Sequence, residues 1–369
     1  MIWPSEVATR GSRLLTLRHL FVLTQGELAD RLAVSQGFVS QVEKDTKALP
    51  REVADRACRE FDLPGSFFAV GSDVEELGVA TFRKSAKASI RDEQHVKALH
   101  SEASRLFRLA SQASGYHHFD LSGLAMDDEE DAASKVRALL GIGPVDPIPN
   151  VTRALERLGV GVIHVLDPLD DEKREHNGIS RPHRLNDRPV IATVGDQPPA
   201  VLRMTLLHEL GHLIYDSDLS TPIRSTRAPE EARAFRFAGA MLVPGSVIRQ
   251  RITETLRLHG YLRVKADYGI TASALIHRAR DIGAISPARQ RSLYIQHSSQ
   301  GWRHNEPVDV AAEQPRLLAQ AAHRALADTP GRIAVETGVP EALVRHWLGV
   351  PPRRPALAPV ITLARRAPK

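Results

Sequence analysis

The sequence has few of the features that build cross-linked or membrane-spanning proteins. Cys58 is the only cysteine in the 369 residues, so no disulfide can form within the chain, and this usage is typical of a reducing cytoplasm. No run of about eighteen apolar residues occurs, which predicts that no segment spans a membrane. The N-terminus also lacks the apolar stretch and cleavage site of a signal peptide. We therefore expect a cytoplasmic protein with no membrane partner.

The remaining composition is ordinary for a globular protein, with a small basic excess. Hydrophobic residues make up 42% and charged residues 25% of the chain, and the net charge is +5. This excess mildly favours a polyanionic partner, although the basic, proline-rich end of the chain carries part of it. The length predicts two or three domains.

The order of patterns along the chain predicts an α+β protein. We expect an N-terminal all-α domain (1–70), a helical linker (71–125), an α+β domain (126–310), a helical C-terminal region (311–350) and a disordered basic tail (351–369).

Sequence signals for helix starts predict three short helices in the N-terminal domain. Leu14 and Leu17 lie at helical spacing and predict a first helix. Thr24 followed three residues later by Glu27 is a capping box, which predicts the start of a second helix. Ser35 can cap a third helix. Two short helices joined by a tight turn form the helix-turn-helix pattern.

The segment TLLHELGHLIYD (205–216) carries the strongest chemical pattern. On a helix, His208 and His212 lie on one face, so both imidazoles can bind one Zn²⁺ ion. Glu209 follows the first histidine, where a general base would take a proton from water. Gly211 would let another backbone pack closely. The alternative is a half-buried helix that happens to carry two histidines, but the glutamate and the apolar flanks favour zinc.

A catalytic zinc site needs a third protein ligand, and the sequence offers carboxylates for it. Glu230 and Glu231 begin the next predicted helix. Glu231 shares a face with the small residues Ala234 and Ala238, which could press against the zinc helix, so we favour Glu231 as the ligand. The alternative is that both acids are solvated and stabilise the helix dipole.

These motifs, in this order, resemble the ImmA/IrrE metallopeptidases. The resemblance rests on HELGH (208–212), on ExxAxxFAGAMLVP (231–244), and on flanking segments within about residues 125–310. It implies a zincin-like zinc peptidase with His208, His212 and Glu231 as ligands and Glu209 as catalytic base. Members of the family are typically cytoplasmic, and several cleave helix-turn-helix repressors. The family usually has Asn or Asp where this chain has Phe235, so a polar supporting role is expected to be missing.

The N-terminal segment TQGELADRLAVSQGFVSQVEKDTKALP (24–50) resembles the phage-repressor-like XRE helix-turn-helix family. The resemblance implies that the third helix enters the major groove of an operator in double-stranded DNA, and a homodimer is expected. The residues expected to contact DNA are Gln25, Ser35, Gln36, Gly37, Ser40, Gln41, Lys44 and Lys47. The alternative is a helical packing domain that binds no DNA.

Together the patterns predict a DNA-binding regulator of transcription with a zinc-dependent endopeptidase domain of the HExxH type. Its substrate would be a helix-turn-helix repressor or the chain itself, and a role in a stress response belongs to the same expectation. Two alternatives remain. The zinc fold could be a sensor or structural unit of a non-proteolytic repressor, or the chain could be the antitoxin of a two-gene module.

Overall fold

A computed structural model describes most of the chain. The described residues are 11–70, 81–82, 89–115, 122–168, 179–181, 189–216, 219, 223, 225, 228–326 and 329–351. The predicted tail beyond residue 351 and parts of the predicted linker lie outside them.

Helices dominate the described residues, and the strands are few and short. The helices are α1 (Ser12–Leu20), α2 (Gln25–Arg31), α3 (Gln36–Glu43), α4 (Arg51–Glu60), α5 (Ile90–Ser114), α6 (Glu129–Leu139), α7 (Val151–Arg157), α8 (Pro199–Tyr215), α9 (Pro229–Leu242), α10 (Gly245–Arg251), α11 (Leu258–Tyr268), α12 (Ala272–Asp281), α13 (Pro287–Ser299), α14 (Leu317–Ala325), α15 (Pro330–Thr337) and α16 (Glu341–Trp347). The strands are β1 (Thr81–Phe82), β2 (Gly161–Ile163), β3 (Ile179–Arg181) and β4 (Val190–Ala192). The expected α+β class is therefore refined to a mostly helical protein with one small sheet.

The predicted helix starts in the N-terminal region are confirmed. Thr24 accepts a hydrogen bond from the Glu27 amide while the Glu27 side chain accepts one from the Thr24 amide, which completes the capping box of α2. Ser35 caps α3 by accepting a hydrogen bond from the Phe38 amide. The turn between the helices is tight, and its Ala33 adopts a left-handed φ of 49°. Side-chain caps thus set the starts of both helices, and Ser35 also ends the turn between them.

The sheet has the strand order β1-β3-β4-β2. β3 pairs with β1 and with β4 in antiparallel fashion, whereas β4 pairs with β2 in parallel. Because successive side chains of a strand point to opposite faces, β2 and β4 each contribute to two cores. In β4, Ile191 joins one core, and Val190 and Ala192 join the other.

The first core unites segments that are far apart in the sequence. It contains buried side chains of α1–α5 and of α14–α16, together with one face of the sheet. The helix α5, expected as a linker, packs along α1, α14 and β4. His100 of α5 contacts the Val190 carbonyl through its Nε2 atom at 3.0 Å. The N-terminal helices are therefore built onto the sheet rather than separated from it.

The C-terminal helices α15 and α16 pack inside this first core. Trp347 of α16 is buried and donates a hydrogen bond from Nε1 to the Leu166 carbonyl at 3.0 Å. Ser66 donates to the Val335 carbonyl at 2.5 Å. These contacts show that α15 and α16 serve packing within the first core. No described helix is long and apolar enough to cross a bilayer.

The second core, on the other face of the sheet, holds the helices of the 205–244 region. It contains apolar side chains of α6–α13. The closest association within it is that of α8 and α9. The buried face of α8 includes Leu206, Leu207 and Leu210, all fully shielded from solvent. This packing fixes the position of the histidine-bearing helix.

Candidate metal centre

Two helices bring three ligand-type side chains together. His208 and His212 lie one turn apart on α8, and Glu231 lies in the first turn of α9. The two Nε2 atoms are 3.1 Å apart. Glu231 Oε2 lies 3.3 Å from His208 Nε2, and Glu231 Oε1 lies 3.5 Å from His212 Nε2. The structure therefore gathers the three predicted ligands at one point.

The close approach of α8 and α9 depends on Gly211. A Cβ atom at this position would lie 3.0 Å from the Ala234 Cα and 3.3 Å from a ring carbon of Phe237. Real Cβ atoms rarely tolerate such contacts with backbone, so a larger residue would push α9 away. The predictions that Gly211 admits a neighbouring backbone and that the Ala234 face packs against it are confirmed.

Asp216 fixes the orientation of one imidazole. It lies at the C-terminal end of α8, and its Oδ2 atom is 2.7 Å from His212 Nδ1. Its other oxygen accepts a hydrogen bond from Arg233 of α9. A hydrogen bond at Nδ1 leaves Nε2 as the ligand atom and sets the plane of the ring. The Nδ1 atom of His208, by contrast, is buried and has no hydrogen-bond partner among the described residues.

The electrostatics of the cluster reflect crowding of carboxylates around imidazoles. Burial lowers the pKa of His212, but hydrogen bonds to Asp216 and Glu231 and the negative charge of Glu209 outweigh it and raise the pKa to about 10. Burial raises the pKa of Glu231, but hydrogen bonds from both histidines outweigh it and hold that pKa well below its usual range. The site therefore favours bound positive charge.

The donor set fits a small divalent metal ion. Ligand bonds of about 2.0–2.2 Å in a tetrahedral site place neighbouring donor atoms about 3.3 Å apart. The three distances here are 3.1, 3.3 and 3.5 Å. All three side chains are buried, with exposures of 4% for His208, 2% for His212 and 7% for Glu231. Among the described residues, His208, His212 and Glu231 form the one cluster suited to a metal ion.

A cleft of about 320 Å³ opens beside this cluster. Its lining includes His208, and next to it Glu209, whose side chain is 2% exposed. Glu209 is thus placed on the helix that carries both histidines and at the wall of the cleft. Carboxylates in this position can accept and return protons.

The far wall of the cleft comes from α9, α12 and α13. Phe235 lines it and packs edge-on against the His277 ring, with the ring centroids 4.8 Å apart. The Nδ1 atom of His277 also lies 2.9 Å from the Oδ2 atom of Asp281. Phe235 therefore gives no polar support, as the departure from the family pattern predicts, whereas Asp216 supports His212 through its Nδ1 atom.

The predicted DNA-contact residues cluster around α3. Those on the surface are Ser35, Gln36, Gly37, Gln41, Lys44 and Lys47. Ser40 is half-buried, and Gln25 donates a hydrogen bond to Glu43 Oε2 at 2.8 Å. The Lys47 ammonium lies 4.9 Å from the centre of the Phe38 ring. The exposed members share one surface, while Gln25 is engaged within the protein.

Sequence reasoning missed several residues of the metal centre. Asp216 follows His212 by four residues, so its position on the same helical face was a usable signal. Arg233, His277 and Tyr294 carry no such signal, because only the packing of α8, α9, α12 and α13 brings them near the site.

A comparison with protein families agrees with this geometry. Residues 156–280 match the model of the Peptidase_M78 family, described as the IrrE N-terminal-like domain. The matched segment covers about a third of the chain and contains the whole histidine and glutamate cluster. This segment is therefore similar to a peptidase domain of the ImmA/IrrE type. No curated protein and no solved structure matches the chain significantly.

Proposed function

We propose that this protein is a DNA-binding regulator of transcription whose second core carries a zinc-dependent endopeptidase. The observation that carries the proposal is the triangle of His208, His212 and Glu231 donor atoms, which lies beside a cleft lined by Glu209. The substrate would be a partner repressor with a helix-turn-helix fold, or this chain itself. The family match supports the peptidase part of the proposal.

Zinc is the metal that the donor set suits best. Two imidazole nitrogens and one carboxylate oxygen are a common ligand set of catalytic zinc, which leaves a fourth position for water or substrate. When bound, zinc supplies Lewis-acid chemistry toward the scissile carbonyl. His208, His212 and Glu231 would hold the ion, and Asp216 would keep Nε2 of His212 directed toward it.

Glu209 is the residue that moves the proton. Its carboxylate would accept a proton from the attacking water and deliver it to the nitrogen of the leaving amine. Because the side chain is 2% exposed, it is shielded from bulk solvent while it lines the cleft. Electrostatic interactions between a shielded carboxylate and the reacting groups are stronger than in water, because the local dielectric is low.

The test is cleavage by zinc-loaded protein incubated with a candidate helix-turn-helix repressor. We expect Glu209→Gln to bind zinc as the wild type does and to cleave about 10²–10⁴-fold more slowly. Wild-type and variant zinc contents are compared by metal analysis. Equal cleavage by the two proteins would refute the assignment of Glu209.

Absence of cleavage despite normal zinc binding would favour the alternative, a non-proteolytic repressor or antitoxin whose zinc fold is a sensor or structural unit. In that case Glu209→Gln would leave operator binding unchanged, whereas zinc removal would alter operator binding or stability.

DNA binding is the second part of the proposal. It is supported by the capped pair α2 and α3, joined by a tight turn, with Gln36, Gly37 and Gln41 exposed on the second helix. Helices in this arrangement can lie in a major groove, and a homodimer would read two half-sites. We expect affinity for operator DNA to fall steeply with salt, because phosphate contacts release counterions. A flat salt response would refute DNA binding.

A further inference from the structure

A second groove, of about 760 Å³, runs along the exposed side of α13. Its main residues are Gln290, Arg291, Tyr294, Ile295, Ser298 and Arg303. All but Arg303 belong to α13 and recur at intervals of three or four residues, so they form one stripe of the helix. The opposite side of α13 is anchored in the second core by Leu293. We call this feature the α13 groove.

The α13 groove adjoins the cleft at the metal centre. Tyr294 lines both depressions. Its hydroxyl donates a hydrogen bond to the Ser273 carbonyl at 3.3 Å, and Ser273 itself lines the cleft. One fixed aromatic side chain therefore forms the boundary between the cleft and the groove.

The chemistry of the groove is cationic and partly apolar. Arg291 and Arg303 supply two guanidinium groups, and no acidic side chain is among the described residues that line the groove. Ile295 is 64% exposed, which is unusual for a large aliphatic side chain on a helix that also packs into a core. Neither arginine has a hydrogen bond or ion pair among the described residues. These groups are available to a ligand.

We propose that the α13 groove binds the flank of the protein substrate, and that this flank is an extended segment with acidic and aliphatic side chains. The inference rests on the proposed peptidase function. An extended chain advances about 3.3 Å per residue, so a protein substrate held at the metal centre must continue beyond a cleft of this size. The α13 groove is the adjoining path, and its two arginines complement carboxylates.

The first experiment profiles the cleavage of a mixed pool of peptides from a digested bacterial proteome by zinc-loaded protein, with mass spectrometry of the new termini. For the wild type we expect Asp and Glu to be enriched several residues from the cut, on one side only. The charge-reversal variant R291E/R303E should replace that enrichment by Lys and Arg. The matched control R257E/R263E changes two exposed arginines that line neither depression, and its profile should equal that of the wild type.

The second experiment measures binding without catalysis. Glu209→Gln protein is titrated with fluorescein-labelled peptides of Asp-Leu and of Lys-Leu composition, and polarisation is recorded. We expect preference for the Asp-Leu peptide. Adding R291E/R303E should weaken that binding about tenfold, as two partly exposed charge pairs would. Ile295→Ser should weaken the binding of both peptides, because it removes an apolar contact that they share.

The outcomes separate the groove from the peptidase. Acidic preference in binding that R291E/R303E abolishes, without cleavage by the wild type, supports the groove and refutes the proposed function. Cleavage with a profile that R291E/R303E leaves unchanged supports the function and overturns the groove. A loss of DNA affinity in R291E/R303E, with peptide binding unaffected, would make the groove a nucleic-acid contact and also overturn the proposal.

Discussion

Two buried charge clusters, one in each core, balance their charge in different ways. In the first core, Glu102 of α5 accepts a hydrogen bond from Arg13 of α1 at 2.6 Å and another from Arg105 of its own helix. We call these residues the arginine cluster. Arg13 also donates to the Phe67 carbonyl at 3.0 Å, and Arg105 donates to the Thr337 carbonyl. Two guanidinium groups thus share one carboxylate, and backbone carbonyls accept further hydrogen bonds from both arginines.

The second core contains the histidine cluster, formed by His208, His212, Glu231 and Asp216. Three carboxylates, counting Glu209, lie close together here, and Arg233 donates a hydrogen bond to one of them, Asp216. Glu231 lies against the two imidazoles, so positive charge beside it can come from protons on their rings or from a bound ion.

The two clusters differ in whether their positive charge can be exchanged. A guanidinium cannot lose its proton or bind a metal, so the arginine cluster is complete as folded. Imidazoles can exchange a proton for a metal ion, so the histidine cluster can accept a divalent cation without rearranging. Substitutions in the two clusters should therefore affect different properties.

The largest effect should follow removal of a metal ligand. We expect Glu231→Gln to weaken zinc binding by more than the roughly 100-fold that loss of a supporting hydrogen bond can cause, because a direct ligand is lost. Zinc affinity is measured by competition with a chromophoric chelator. Glu230→Gln is the matched control, since its carboxylate precedes Glu231 but is not part of the cluster. Equal losses in both variants would revive the alternative that these acids serve the helix dipole.

A large loss of stability without loss of zinc binding should follow a change in the arginine cluster. Removing one partner of a buried ion pair leaves the others uncompensated, so Glu102→Gln should lower the free energy of unfolding by about 3–5 kcal/mol. Chemical denaturation measures it. The control is Glu93→Gln, which breaks a partly exposed pair with Lys97 on the same helix and should cost about 0.5 kcal/mol. A weaker zinc affinity in Glu102→Gln would show that the clusters are coupled.

The Glu102 carboxyl also predicts how the stability of the protein depends on pH. Burial raises the pKa of Glu102, but Arg105 and Arg13 outweigh it and lower the pKa from 4.5 to about 2. A carboxyl with a depressed folded pKa stabilises the protein above its unfolded pKa and loses that contribution as the pH falls through the folded value. The stability difference between wild type and Glu102→Gln should therefore be constant above pH 5 and shrink between about pH 4.5 and 2. A difference that grows on acidification would contradict the assignment.

A smaller effect should follow loss of the support behind His212. Asp216→Asn keeps the shape of the side chain but removes the charge that orients the imidazole, and zinc affinity should fall about 10–100-fold. Asp267→Asn, which alters a surface pair with Arg251, is the control and should leave affinity unchanged. An unaltered affinity in Asp216→Asn would mean that packing alone orients the ring.

The residues of the candidate metal centre could be predicted from the sequence where they lie close together along one helix. His208, Glu209 and His212 follow from helical spacing alone. Glu231 required the further inference that α9 packs against Gly211, and Asp216 was within reach of the same spacing argument. The remainder could not be predicted, because Arg13 and Glu102 are 89 residues apart and only tertiary packing joins them. For the same reason α5 was expected as a linker although it is part of a core.

The exposed face of α3 differs from both clusters, because its polar side chains are on the surface and not buried. Gln41 and Lys47 are on the surface, so their contribution to folding should be small. If α3 reads DNA, Gln41→Ala should cost about 1–3 kcal/mol on the operator and relax the choice of base at one position. Lys47→Ala should weaken all sequences alike and reduce the salt slope by about 1. Both are measured by fluorescence anisotropy over a range of salt concentrations.

The contrast between these two variants is more informative than either alone. Lys47 also packs over Phe38, so its removal could disturb α3 rather than a phosphate contact. Lys47→Arg keeps the cation over the ring and should bind DNA as the wild type does. If Lys47→Arg and Lys47→Ala bind DNA equally weakly, the geometry of the side chain matters more for DNA affinity than its charge. If Gln41→Ala loses affinity uniformly over all sequences, α3 does not read bases, and the surface would contact the DNA backbone alone.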